Sequence, residues 1–200
     1  MIYKLGSCRS NLLLDNFIKN PYTHSTKEVL QWLDILEKKI DINSIPYNNL
    51  IIKDNKKINY YINNYNKSNI IIIEISSLKI GYYNNYYYNI NNINEYIKIN
   101  IQSEDDLYND LLLIINRLKT KNIIFIGHLI LNFYDIPNFN TKYRLIIDKT
   151  LQKISTNKII LSDLFKNKDY KDIFAHDINH FTKETIEIIT KYVKNLIEQL

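Results

Sequence analysis

A cysteine, an aspartate and a histidine of this chain occupy places where nucleophilic chemistry is carried out in many folds. Cys8 directly follows an apolar run, in the segment 6–10 (GSCRS), whereas Asp177 and His180 lie just before the last predicted helix. A thiol attacks efficiently once a base removes its proton, and that base needs a third group to fix its tautomer. The three residue types are those of a catalytic triad, which needs a nucleophile, a base and an orienting carboxylate.

Each of these residues also has a structural interpretation. A lone cysteine is most often a small buried apolar side chain. Ser7 would be the nucleophile if the loop were shifted by one residue, and otherwise its hydroxyl would bond to the local backbone. Asp177 and His180 could instead cap the last helix.

The predicted elements alternate between strand and helix along the whole chain. Apolar runs at 2–5, 50–52, 70–75, 123–126 and 159–161 predict buried strands, and helical periodicity follows at 26–40, 54–65, 105–118, 142–154 and 182–200. Such alternation predicts an α/β fold: a three-layer α/β/α sandwich of the flavodoxin-like kind, with a five-stranded parallel sheet. We expect one domain spanning residues 1–200.

Ligands of open parallel sheets bind beyond the carboxyl ends of the strands, so the residues that follow each run are candidates for substrate contact. Ser76 and Ser77 follow the third run, and their hydroxyls would donate to an oxyanion. His128 follows the fourth run, where it would contact substrate or be a semi-buried histidine with a structural role.

Two further residues are expected at the same edge. His24 precedes the first long helix and would be an alternative base or a contact to the acyl acceptor, while the neighbouring Ser25 has the position of a helix cap. Arg9 follows Cys8 and would pair with an anionic group of the substrate or with Glu74.

The segment 6–8 (GSC) after the first strand, together with the Asp177-x-x-His180 spacing before the last helix, resembles the SGNH (GDSL-type) hydrolase superfamily. The resemblance is closer to side branches with Gly-Ser-Cys in the first block, namely the GSCFA proteins and the capsule-polysaccharide acyltransferase-like proteins. The resemblance implies that Cys8 is the nucleophile, His180 the base and Asp177 the orienting carboxylate of a triad. Ser7 then stands in place of the block's aspartate. The sequence departs from the family at 74–77, where Glu-Ile-Ser-Ser replaces the Gly-x-Asn-Asp block.

The resemblance implies an SGNH-like acyl-transfer enzyme, either an esterase or deacetylase or an O-acyltransferase. Its substrate would be a small molecule or a glycan that carries an O-acyl ester. It implies no metal and no organic cofactor, and acetyl-CoA would be the acyl donor if transfer replaces hydrolysis. The alternative is a catalytically degenerate SGNH-like binding module that recognises a glycan or a host protein.

The composition limits which partners and which cellular setting we expect. The net charge is +5, but basic and acidic residues are interspersed and only three are arginine, so we expect no nucleic-acid partner. A single cysteine indicates a reducing, cytoplasmic setting, and no apolar run is long enough for a membrane span. The chain has 39 Ile, 29 Asn, 23 Lys and 17 Tyr residues, whose AT-rich codons fit a large DNA virus, a low-GC bacterium or a protist.

One segment does not fit the alternation. Residues 81–102 are rich in Tyr and Asn, too polar for a core and too long for a plain connection. We interpret this segment as an insertion with a short hairpin around Asn91 and Asn92. The alternative is a tyrosine-lined surface that stacks on sugar rings or bases.

Overall fold

A computed structural model of the chain describes residues 1–7, 22–52, 54–90, 94–129, 141–175 and 180–200. The fold is mixed α/β, as predicted. It contains a four-stranded parallel sheet and a smaller three-stranded antiparallel sheet.

The parallel sheet is made of the short apolar runs. Its strands lie in the order β1-β2-β6-β7, with bounds β1 Ile2–Leu5, β2 Ile70–Glu74, β6 Asn122–Ile126 and β7 Lys158–Ile159. All five residues of β2 are buried, which explains why that strand is a continuous isoleucine run without polar alternation.

In the part of the chain that the structure describes, five longer helices accompany the strands. They are α1 Thr26–Leu36, α2 Ile58–Lys67, α3 Glu104–Arg117, α4 Thr141–Lys153 and α7 Lys183–Glu198, and two short helices, α5 Leu161–Leu164 and α6 Tyr170–Ile173, precede α7. Ser25 and Ser103 cap α1 and α3 by accepting hydrogen bonds from backbone N–H groups, as the sequence predicts. Three turns of 3-10 helix lie at Ile42–Ser44, Asn48–Leu50 and Asn55–Lys57.

Helices cover both faces of the parallel sheet. Ile71 and Ile73 of β2 belong to a core that also contains buried residues of α1, α3 and α4. Ile70 and Ile72 point to the opposite face, into a second core with Ile189 of α7. Successive strand residues therefore alternate between two separate hydrophobic cores.

The prediction of a fifth parallel strand at 50–52 was wrong. This run lies at the end of a 3-10 turn, where the N–H groups of Ile51 and Ile52 both donate to the Asn48 carbonyl. Tyr47 before it has a left-handed backbone with φ of 52°. Because the N–H groups of this run are bonded within the turn, it does not join the sheet edge.

The predicted insertion at 81–102 contributes most of the antiparallel sheet. The strands β3 Lys79–Tyr83, β4 Tyr86–Tyr88 and β5 Lys98–Ile101 lie in the order β4-β3-β5. Asn91 and Asn92, around which the hairpin is predicted, lie outside the described residues. The described strands β4 and β5 both pair with β3. A tight turn lies at Asn84 and Asn85, both of which have positive φ, a conformation that asparagine tolerates well.

The outer edge of β4 is closed by one side chain of α1. The Gln31 amide donates to the Tyr87 carbonyl and its oxygen accepts from the Tyr87 N–H, both at 2.8 Å. The Gln31 amide therefore satisfies the backbone groups that a further strand would otherwise bond.

A buried polar network fixes α1 against α3. The Thr26 hydroxyl donates to Asp110 at 2.8 Å, Gln102 donates to the same carboxylate at 2.6 Å, and Lys27 pairs with it at 2.8 Å. This network holds the first turn of α1, which follows His24.

Within the described ranges, every helix is too short or too polar to cross a membrane.

Candidate functional site

The carboxyl ends of the parallel strands meet at one edge. Leu5 pairs with Ile73, Glu74 with Ile126, and Ile126 with Ile159. The residues that follow these positions, among them Ser7, Ser76, Ser77 and His128, therefore lie along the same edge of the sheet.

Glu74, the last residue of β2, accepts hydrogen bonds from both the N–H and the hydroxyl of Ser7. The Ser7 N–H donates to Glu74 Oε2 at 2.8 Å, and the Ser7 hydroxyl lies 2.8 Å from Oε1 and 2.7 Å from Oε2. Both residues are buried, at 1% and 4% exposure. Because the hydroxyl points at a carboxylate inside the protein, Ser7 is poorly placed to attack a carbonyl and well placed to fix the loop that begins here.

Lys4 shares the sheet face of Glu74. Its side chain is 1% exposed, on the β1 residue that pairs with Ile72. Burial lowers the pKa of Lys4 to about 7, while the nearby Glu74 charge opposes this effect. The sequence analysis considered Glu74 only as a partner of Arg9 and passed over Lys4, although a lysine inside the apolar run 2–5 is an unusual signal that would have drawn attention to this position.

His24 joins the edge through its backbone. Its carbonyl accepts from the N–H groups of Ser76 and Ser77, at 2.9 and 3.0 Å, and the Thr23 N–H donates to the Gly6 carbonyl at 3.1 Å. The segment before α1 is therefore bonded to the ends of both β1 and β2.

The His24 ring lies between an aromatic ring and a carboxylate. It stacks on Tyr22, with centroids 6.5 Å apart, and its Nδ1 is 4.0 Å from Glu28 Oε2. Burial raises the pKa of Glu28 to about 7, although bonds from the Ser25 hydroxyl and the backbone oppose the increase. Glu28 completes the capping box of α1 that the sequence predicts.

The two predicted oxyanion donors differ in their surroundings. The Ser77 hydroxyl accepts from the Lys79 N–H at 2.9 Å, in a local turn. The Ser76 hydroxyl is buried and has no hydrogen-bond partner among the residues that the structure describes. Ser76 is therefore the better donor to a ligand.

His128 is buried at 2% exposure, directly after β6. Its Nδ1 lies 3.3 Å from the Leu129 carbonyl, and Arg144 reaches the same carbonyl at 3.4 Å. These contacts agree with the semi-buried structural histidine that the sequence analysis considered as one alternative.

Of the remaining candidate residues, His180 lies within the described part of the chain and the others lie outside it. Cys8, Arg9 and Asp177 lie outside the described residues, so the predicted triad stays a prediction. His180 is exposed, and its carbonyl accepts from the Ala175 N–H at 2.8 Å. Thr182 caps α7 by accepting from the Thr185 N–H, so His180 does not serve as the cap.

A buried acid of α4 lies against the end of β6. Asp148 is 3% exposed, one carboxyl oxygen accepts from Ser162, and the other has no partner among the described residues. That second oxygen sits so close to Gly127 that a Cβ there would lie 2.7 Å from it, which explains the glycine. Burial raises the pKa of Asp148 to about 7 against the opposing Ser162 bond.

We predict that Asp148→Asn makes the free energy of unfolding less dependent on pH. An unfolded aspartate ionises near pH 4, whereas folded Asp148 holds its proton up to about pH 7. The folded protein therefore loses stability as the pH rises between those values, and the asparagine variant should avoid this loss. At pH 8 we expect the variant to be more stable by on the order of 2 kcal/mol, with little difference at pH 4.

Urea denaturation at several pH values measures this effect. The exposed Asp105 provides the control, since Asp105→Asn should leave the pH dependence almost unchanged. A free energy of unfolding that changes with pH in the same way for wild type and Asp148→Asn would contradict the prediction.

Comparison with known proteins gives one family. A family model described as the TviD N-terminal domain matches residues 2–109, just over half of the chain. The match includes Cys8, Glu74 and Ser76 and ends before His128 and His180. Neither the curated proteins nor the solved structures gave a match.

Proposed function

The chain belongs to the family of the TviD N-terminal domain, from a Vi capsule polysaccharide-related protein, and on this premise we propose that it is an acyl-transfer enzyme. The proposed fold relationship is to the SGNH-like capsule-polysaccharide acyltransferases. The proposed substrate is an O-acyl ester of a carbohydrate, handled in a reducing compartment.

The observation that carries the proposal is the hydrogen bonding of Ser7 to the Glu74 carboxylate. The N–H and the hydroxyl of Ser7 both donate to Glu74 and fix the residue that immediately precedes Cys8, at the carboxyl edge of the sheet. Because the Ser7 hydroxyl is engaged in this contact, we propose Cys8 as the nucleophile. Because this backbone is already fixed, less conformational entropy is lost when the thiol is positioned against the substrate.

The proposed reaction has two steps. His180 takes the Cys8 proton, the thiolate adds to the ester carbonyl carbon, and the Ser76 hydroxyl donates to the developing oxyanion. The tetrahedral intermediate then expels the alcohol, which receives the proton from His180, and an acyl thioester on Cys8 remains. Water or a sugar hydroxyl adds to that thioester, with His180 as base, and releases the thiolate. Asp177 orients the imidazole throughout.

A second candidate function is a glycan-binding module without catalysis. The rings of Tyr47 and Tyr96 stack at 6.2 Å with an interplanar angle of 4°, and their side chains are 38% and 56% exposed. Tyr83 packs against Tyr47 at 5.5 Å and extends this surface. Exposed aromatic faces of this kind suit the apolar faces of sugar rings.

Thiol labelling tests the proposal, because Cys8 is the only cysteine of the sequence. We expect iodoacetamide to modify native wild type rapidly near neutral pH, and His180→Ala to slow the reaction by about tenfold or more. His24→Ala should label like wild type, which separates the two candidate bases. Labelling that requires unfolding, or that does not depend on His180, would contradict a catalytic Cys8.

A further inference from the structure

One edge of the smaller sheet is open. β5 is an outer strand in the order β4-β3-β5, and all four of its residues, Lys98–Ile101, are exposed. The opposite edge, at β4, is covered by the Gln31 amide. Of the two edges, the one beside β5 is therefore available to a further strand.

The register of β5 shows which of its backbone groups point outward. The Gln102 N–H donates to the Leu78 carbonyl at 2.8 Å, in line with the pairing of β5 along β3. Hydrogen-bonded pairs alternate along an antiparallel ladder, so the residues at 98 and 100 also bond to β3. The N–H and C=O groups of Ile99 and Ile101 therefore point away from β3, and no residue in the described ranges bonds to them.

The same two residues carry exposed apolar side chains. Ile99 is 52% and Ile101 is 53% exposed, and the alternation of a strand places both side chains on one face of β5. An open strand edge that also presents large aliphatic side chains pairs readily with another strand. A matching strand has apolar residues two positions apart, so that each lies opposite one of these isoleucines.

β5 itself has this spacing, in a sequence that is the same in both directions. Residues 99–101 are Ile-Asn-Ile, so a two-fold axis at Asn100 places Ile99 of one copy opposite Ile101 of a second copy. Both isoleucines then exchange backbone hydrogen bonds with their counterparts, and their side chains pack together. Lys98 lies opposite Gln102 of the second copy, so like charges do not face each other.

The backbone on either side of β5 favours this register over its neighbours. The Ile97 N–H already donates to the Asn94 carbonyl, and the Ser103 carbonyl accepts from the Leu107 N–H of α3. An axis shifted by one residue in either direction would set an outward-pointing isoleucine against one of these engaged residues. An axis at Asn100 instead uses the outward groups of both isoleucines.

We propose that the protein forms a dimer with a second copy of itself through antiparallel pairing of β5, with the two-fold axis at Asn100. The two smaller sheets then become one continuous sheet. Because Gln31 covers the β4 edge of each copy, the assembly closes at two chains. The pairing of two short strands buries little surface, so the dimer is reversible. This inference does not depend on the proposed function.

Sedimentation velocity of the full chain tests the dimer. Between about 10 μM and about 1 mM protein we expect a shift from monomer to dimer. Ile99→Lys places an ammonium group among the paired apolar side chains and should weaken the dimer by about tenfold or more. Tyr192→Lys is the matched control, because this α7 side chain is similarly exposed, at 49%, and α7 packs on the opposite face of the parallel sheet.

A pair of cysteine variants tests the register. Residues at the axis form a pair without hydrogen bonds, whose Cα atoms lie about 4.5 Å apart, within the range for a disulfide. In a Cys8→Ala background, Asn100→Cys should therefore form a disulfide dimer under mild oxidation. Lys98→Cys should do so about tenfold more slowly or less, because in this register the two copies of residue 98 are separated by about 14 Å along the strands.

These measurements decide the proposal between them. A monomer at every concentration, or a dimer that Ile99→Lys leaves intact, would overturn it. Assemblies that grow beyond two chains would contradict the closed arrangement. Equal rates of disulfide formation by Asn100→Cys and Lys98→Cys would overturn the axis at Asn100, and with it this dimer. If Ile99→Lys does not fold, as judged by circular dichroism, the two cysteine variants decide alone.

Discussion

Replacement of Cys8 by alanine is expected to reduce ester cleavage by a factor of about 10³ or more in kcat/KM. The substitution removes the atom that would form the acyl thioester, and we expect the adjacent Ser7 hydroxyl not to replace it, because that hydroxyl is engaged with Glu74 at 2.7 and 2.8 Å. The measurement is the initial rate of p-nitrophenyl acetate hydrolysis over a range of substrate concentrations. Single-turnover mass spectrometry should also show an acetyl group on the wild-type chain and none on Cys8→Ala.

Ser7→Ala is the matched control for that experiment. It leaves the thiol in place and removes one donor to Glu74, so we expect a folded protein with reduced but measurable activity. If Ser7→Ala eliminates the acetyl adduct while Cys8→Ala retains it, Ser7 is the nucleophile. Equal rates for wild type, both variants and His180→Ala would remove the mechanism altogether.

Glu74→Ala is expected to lower the free energy of unfolding by about 3 kcal/mol or more, the largest stability effect that we predict. The carboxylate is 4% exposed, accepts from the Ser7 N–H at 2.8 Å and lies on the sheet face of the buried Lys4. Its removal takes away a buried acceptor and the negative charge that favours a protonated Lys4. Urea denaturation followed by circular dichroism measures the change.

An exposed ion pair provides the control for the Glu74→Ala substitution. Lys153 and Glu104 lie 2.6 Å apart with side chains 54% and 40% exposed, so Glu104→Ala should lower the free energy of unfolding far less than Glu74→Ala does. The double variant Lys4→Met/Glu74→Gln should recover part of the loss, because it replaces both members of a buried charged pair. A change for Glu74→Ala no larger than that for Glu104→Ala would contradict the importance of this contact.

The helices and central strands could be predicted because their signals are local. The continuous apolar runs at 70–75 and 123–126 leave no polar face, and Ser25 and Ser103 stand where the helices α1 and α3 begin. The run at 50–52 is also apolar, but its N–H groups are bonded within a turn. Its backbone bonds, not its hydrophobicity, decide its conformation.

The arrangement at the carboxyl edge could be predicted only in outline. Parallel strands bring their ends together, which placed Ser7, Ser76 and His128 along one edge. The contact between Ser7 and Glu74 depends on the register of β1 against β2, and no property of either residue alone indicates it. Likewise, the sequence gives no reason to prefer Ser76 over Ser77, because the difference arises from a turn that engages only the Ser77 hydroxyl.

The Gln31 amide on the Tyr87 backbone has a consequence for self-association. Exposed strand margins can recruit strands from other molecules and begin fibril growth, and proteins reduce this hazard by covering them. Because Gln31 satisfies both backbone groups of Tyr87 at 2.8 Å, a foreign strand would first have to displace it. A chain with so many isoleucines and tyrosines is thereby protected from polymerising along this border of its smaller sheet.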